Sequence, residues 1–73
     1  MDSSTYQQLR IFHAIARAGS ISEAARTLRM TTPSASQALK LLEQKMDMPL
    51  FWRNTRRVVL TDAGQRLLGK RVH

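Results

Sequence analysis

The chain has 73 residues, enough for one small domain with a modest core, and its 12 Lys and Arg against 5 acids leave a net charge of +7. Without cysteine, a disulfide framework and a thiolate metal site are excluded, and His13, His73 and the scattered acids match no metal-ligand spacing. No apolar run approaches a membrane span and residues 1–10 do not read as a signal peptide, so the expectation is a soluble, intracellular protein whose field draws polyanions: DNA, RNA or an anionic membrane surface.

Over residues 6–18 the apolar positions Leu9, Phe12, Ile15 and Ala16, with Ile11 flanking, fall on one face of an amphipathic helix. His13 lies beside that stripe as a partly exposed spacer. Gly19 suits the left-handed residue that ends a helix. Ser20 and Glu23 stand at capping-box spacing before a short second helix, whose inner face is Ala24, Ala25 and Leu28. A third helix is predicted to begin at Thr31 or Thr32, whose hydroxyl can cap it, with Pro33 in the first turn where its missing N–H does no harm. Its buried face is expected to be Ala35, Leu39, Leu42 and Met46, and both Met46 and Met48 are expected to fill gaps in the core. After Pro49 the period changes: residues 50–53 and 57–60 read as two short strands around Asn54-Thr55. Thr61 can cap a last helix carrying Asp62, Leu67 and Leu68. Gly64 inside that helix is about 1 kcal/mol less favourable than Ala, which implies close packing there.

The third helix has no acid from Met30 to Leu42, and it opens with Thr31, Thr32, Pro33, Ser34, Ser36 and Gln37. Two helices joined by the tight turn at residues 29–31 make a helix-turn-helix, with the second free to enter a major groove. Its solvent face carries Pro33, Ser34, Gln37, Lys40 and Gln44. Small hydroxyls allow close approach to DNA, the helix N-terminus attracts phosphate, and Gln37 can pair bidentately with adenine. Taken alone, a plain helix cap followed by a solvated polar face explains the pattern equally well. The hairpin adds a second feature: Arg53, Arg56 and Arg57 cluster at its tip with no acid between Leu50 and Thr61. Such a tip can lie along the DNA backbone or place an arginine in the minor groove, so beside a helix-turn-helix it looks like a wing.

Three stretches, "FHAIARAGSISEAARTL" from Phe12, "TTPSASQALKLLE" from Thr31 and "PLFWRNTRRVVLTDAG" from Pro49, resemble the N-terminal DNA-binding domain of LysR-type transcriptional regulators of bacteria. The resemblance runs from about Leu9 to Leu68. It implies a mainly α fold with a small β-hairpin: a winged helix-turn-helix with a three-helix core, a two-stranded wing and the start of a linker helix. The expected division is residues 1–61 for the DNA-binding domain, with the helix-turn-helix at about 21–40, and 62–73 for the start of the linker and dimerisation helix. The resemblance puts Thr31, Thr32, Pro33, Ser34, Ser36 and Gln37 at DNA-reading positions, and Arg53, Arg56 and Arg57 at backbone and wing positions. It implies sequence-specific binding of double-stranded DNA at a palindromic operator in a nucleoid-associated, cytoplasmic protein, with no cofactor. The sequence departs from the family pattern at Thr32, where glutamine is frequent, at Asp47, where glycine is usual, and at Trp52, where a polar residue is common. Trp52 is expected to cover the wing or to join a dimer contact.

An enzyme is disfavoured, since there is no Cys, no sequence context joins His13 to a serine and an acid, and no glycine-rich phosphate loop is present. A membrane coat is disfavoured because the bases spread over helix, wing and tail rather than one face. The alternative is a truncated interaction module that pairs with full-length regulators. At the C-terminus Leu67, Leu68 and Val72 offer an apolar strip, while Arg66, Lys70 and Arg71 would oppose a symmetric partner. The expectation is therefore a monomer or weak homodimer through that helix, pairing more readily on DNA.

Overall fold

In the computed structural model, which describes residues 3–52 and 58–69, the elements follow the predicted order: α1 (Ser3–Ala18), α2 (Ile21–Thr27), α3 (Thr32–Met46), β1 (Phe51–Trp52), β2 (Val59–Leu60) and α4 (Asp62–Leu68). Helix α1 starts earlier than its apolar period shows, because its first turn, Ser3-Ser4-Thr5, is polar and largely exposed. The buried stripe is Gln8, Ile11, Phe12 and Ile15. Ile11 therefore belongs to the core rather than its flank, while Leu9 and Ala16 are only partly buried.

The core gathers Ile11, Phe12 and Ile15 from α1, Ala24 and Ala25 from α2, and Ala35, Leu39 and Leu42 from α3, closed by Leu50 and Phe51. Alanines at the contact faces of α2 and α3 let the three helices approach closely. Phe12 and Phe51 meet at a ring separation of 5.4 Å, so the hairpin's first strand is packed directly on α1. Each large side chain fully buried here stabilises the fold by roughly 1.5–3 kcal/mol.

Local chemistry sets each helix end. Ser20 Oγ accepts the Glu23 amide at 3.1 Å, Thr31 Oγ1 that of Ser34 at 3.2 Å, and Thr61 Oγ1 that of Gly64 at 3.0 Å. Gly19 ends α1 at φ 81°. The other two stops are unusual because a side chain occupies the left-handed position: Arg29 at φ 59° after α2 and Asp47 at φ 60° after α3. Both form Schellman closures. The Met30 and Arg29 amides donate to the Ala25 and Arg26 carbonyls, and the Met48 and Asp47 amides to those of Glu43 and Gln44.

Two expectations for the region after α3 need correction. Met46 is 38% exposed and Met48 is 49% exposed, so neither fills the core. The chain reverses at Asp47, and Leu50 and Phe51 take the interior positions instead. Glu43 helps to hold the reversal, its Oε2 accepting the Leu50 amide at 2.8 Å. Among the described residues the ladder pairs Phe51 with Leu60 and Trp52 with Val59 in antiparallel register, and Leu50 and Val58 lie outside it; positions 53 and 57 of the predicted strands lie outside the described residues.

The hairpin is tied to the helices on both sides. The Val58 amide donates to the Gly19 carbonyl, and the Thr61 amide to that of Leu50. Thr61 Oγ1 also donates to the Pro49 carbonyl at 2.8 Å. One buried hydroxyl thus joins the end of the α3 reversal to the start of α4. Gly64 follows in the first turn of α4, and a Cβ there would overlap the Leu50 carbonyl oxygen and lie 2.7 Å from Leu60 Cδ2. The close packing inferred from this glycine is present. Among the described residues helix α4 ends at Leu68, where Gly69 turns left-handed at φ 86°. Lys70, Arg71 and Val72 lie outside the described residues.

Candidate nucleic-acid interface

Helix α3 buries Ala35, Leu39 and Leu42, and the opposite side carries the polar set predicted from sequence. Thr31, Thr32, Pro33, Ser34, Gln37 and Lys40 are exposed, whereas Ser36 is partly buried. Positions 33, 37, 40 and 44 recur at helical spacing and form a continuous outer strip. The first turn of α3 contains no acid, so no carboxylate offsets the positive end of its dipole.

The cap orders part of this strip. Besides accepting the Ser34 amide, Thr31 Oγ1 donates to Ser34 Oγ at 2.8 Å. Ser34 Oγ is thereby used as an acceptor, leaving its own O–H to point at an outside acceptor. Gln37 stands one turn further along with a carboxamide that offers an acceptor and two N–H donors. Lys40 follows with a cation. A polar, hydrogen-bonding start and a basic continuation suit base edges and phosphates respectively.

Arg29 adds a basic side chain that the sequence pattern did not single out. It is exposed in the turn between the two helices, next to the α3 cap. The signal available in sequence was a non-glycine residue where a tight turn calls for positive φ. Arg53, Arg56 and Arg57 belong to the segment joining β1 to β2 and lie outside the described residues. The described part of the wing turns Phe51 inward, while its outer face carries Trp52 and Val59, 58% and 56% exposed.

Between α1 and the flank of α3 runs an open groove of about 680 Å³, lined in part by Gln7, Gln8, Pro33, Ser34 and Gln37. Gln8 is 6% exposed, and its Oε1 has no hydrogen-bond partner. Among the described residues, no group of three or more His, Cys, Asp or Glu could hold a metal ion, and no helix is long and apolar enough to cross a membrane.

The family model for bacterial regulatory helix-turn-helix proteins of the lysR family matches residues 6–65. The HTH-type transcriptional activator CmpR of Synechocystis is 41% identical over 93% of this chain and 22% of its own length. The HTH-type transcriptional activator AllS of Salmonella typhi is 45% identical over 88% of this chain and 21% of its own. The chain thus spans about a fifth of the length of these curated relatives. Among solved structures, a CbnR_DBD-DNA complex superposes with a TM-score of 0.85 at 32% identity, covering 94% of this chain and 76% of that one. A BenM_DBD/benA site 1 DNA complex gives 0.83 at 28% identity, over 86% of this chain and 73% of that one. The fold, the capped α3 with its acid-free opening and these matches agree: the chain belongs to the LysR family of bacterial regulatory helix-turn-helix proteins.

Proposed function

We propose that this chain binds double-stranded DNA sequence-specifically, as the winged helix-turn-helix domain of a transcriptional regulator. The observation that carries the reading is the exposed strip of α3, acid-free from its cap through Lys40 and ordered at its start by the Thr31–Ser34 pair. Helix α3 lies in the major groove. Thr31, Thr32, Pro33, Ser34, Ser36 and Gln37 face bases and nearby phosphates, and Lys40 and Arg29 hold the backbone. Arg53, Arg56 and Arg57 contact backbone or minor groove from the wing. Support comes from the two DNA complexes among the structural relatives. The domain division is residues 1–61 for DNA binding and 62–73 for the start of a linker. Two copies pair weakly, and chiefly on a palindromic site, where the two half-sites raise the local concentration of one copy near the other.

The test is equilibrium binding to a duplex library across salt concentrations. Each phosphate contacted contributes about −0.9 to the slope of log affinity against log salt. A defined motif should be enriched from the library, with a steep negative slope. Binding that stays flat between low and physiological salt overturns the reading. Sedimentation equilibrium checks the pairing, since a tight dimer at nanomolar concentration without DNA contradicts it.

A further inference from the structure

Gln8 occupies a position in α1 that an apolar side chain would fill at less expense. It shares the buried stripe with Ile11, Phe12 and Ile15, is 6% exposed, and has an Oε1 without a partner. An acceptor buried without a donor destabilises the folded state, so packing alone does not account for an amide here. Gln8 also lines the groove between α1 and α3, and the outer wall of that groove includes Ser34 and Gln37.

The hydrogen-bond inventories of the two glutamines are complementary. A bidentate contact with adenine uses the Gln37 oxygen, which accepts from N6–H, and one Gln37 N–H, which donates to N7. The second Gln37 N–H is left over. Gln8 holds an oxygen that lacks a donor. We propose that Gln8 is a positioning residue for Gln37, its Oε1 accepting the spare Gln37 N–H directly or through one water in the groove when α3 is seated on DNA. This rests on the DNA-reading role proposed for Gln37. Terminal amide torsions are soft, so a turn of the Gln8 amide brings its Oε1 to the groove that both glutamines line, whose volume exceeds that of a bridging water.

The arrangement has a consequence for base choice. A glutamine with both N–H groups free can direct them at the two acceptors of guanine, O6 and N7. With one N–H tied to Gln8, that two-donor mode is lost, while the one-donor, one-acceptor mode needed by adenine remains. Gln8 would therefore raise the preference for adenine over guanine without touching DNA.

The experiment uses the whole 73-residue chain. The base position read by Gln37 is first located as the one whose preference disappears in Gln37→Ala. Duplexes carrying adenine or guanine there then compete for wild type, Gln8→Leu and Gln8→Met, the last keeping side-chain length should leucine impair folding. Both variants should lose about tenfold in adenine preference, with non-specific affinity and its salt slope unchanged. In a Gln37→Ala background Gln8→Leu should have no further effect. If folded Gln8→Leu or Gln8→Met keeps wild-type discrimination and only gains thermal stability, Gln8 is a packing residue and the proposal is overturned. If Gln37→Ala changes no base preference while wild type still selects a motif, the reading role of Gln37 falls and the proposal with it. If wild type selects no motif at all, it is the proposed function that fails.

Discussion

Replacing Gly64 by Ala sets two effects of opposite sign against each other. Alanine is favoured over glycine within a helix by about 1 kcal/mol, which taken alone would make Gly64→Ala stabilising. At this site, however, the added Cβ would meet the backbone carbonyl of Leu50 and the side chain of Leu60. The leucine side chain can give way, but the carbonyl cannot move freely, because it accepts the Thr61 amide at 3.1 Å. Relieving the overlap means shifting α4 away from the hairpin. Overpacking of this kind costs typically 1–3 kcal/mol, and a weakened Leu50–Thr61 bond adds about 1 kcal/mol. After subtracting the propensity gain, the net loss should be about 1–3 kcal/mol, a fall in Tm of roughly 5–20 °C for a domain this size. Thermal and urea unfolding followed by circular dichroism measure it. Gly19→Ala is the useful control: its Cβ would meet nothing within 4 Å, so only the left-handed φ of 81° opposes it. A Gly64→Ala variant more stable than wild type would show that α4 is not held against Leu50 as described, and the packing account would be wrong.

Thr61→Val should lose about 2–3 kcal/mol in the same unfolding assay, because it removes both the cap on α4 and the bond to Pro49, whereas Thr61→Ser should recover most of that loss. Asp47→Gly and Arg29→Gly should each stabilise by about 0.5–1 kcal/mol by relieving a left-handed side chain. Only Arg29→Gly should also weaken DNA binding, flattening the salt slope by about 0.9 because one phosphate is no longer neutralised; equal DNA affinity in the two variants would remove Arg29 from the interface. Arg53→Ala should weaken binding to all duplexes alike, while Gln37→Ala or Ser34→Ala should alter the selected motif by roughly 1–3 kcal/mol at the affected base. An unchanged motif in both α3 variants would mean that the reading face is misassigned.

Features governed by neighbouring residues were legible in the sequence. The caps at Ser20, Thr31 and Thr61, the stop at Gly19 and the tight site at Gly64 each follow from one side chain and the few residues beside it. The exposed strip of α3 was readable for the same reason, since helical spacing separates it from Ala35, Leu39 and Leu42. Tertiary choices were less legible. Met46 continues the apolar period of α3, yet the reversal at Asp47 delivers Leu50 to the interior and leaves the methionine outside. The Glu43–Leu50 bond has no local propensity to announce it. Gln8 reads as an ordinary polar helix residue until the fold buries it.

The two left-handed stops place α3 between fixed ends, one formed by Arg29 and Met30, the other by Asp47 and Met48. A helix secured in this way does not need to fold or re-register when it meets a duplex. The domain can therefore sample successive sites as a nearly rigid body, at the pace set by electrostatic attraction, with little waiting for rearrangement. Discrimination between right and wrong sequences then falls mainly on how long the domain stays rather than on how quickly it arrives. Calorimetry should accordingly show only the modest heat-capacity change of surface burial, without the large negative contribution that accompanies folding on the DNA.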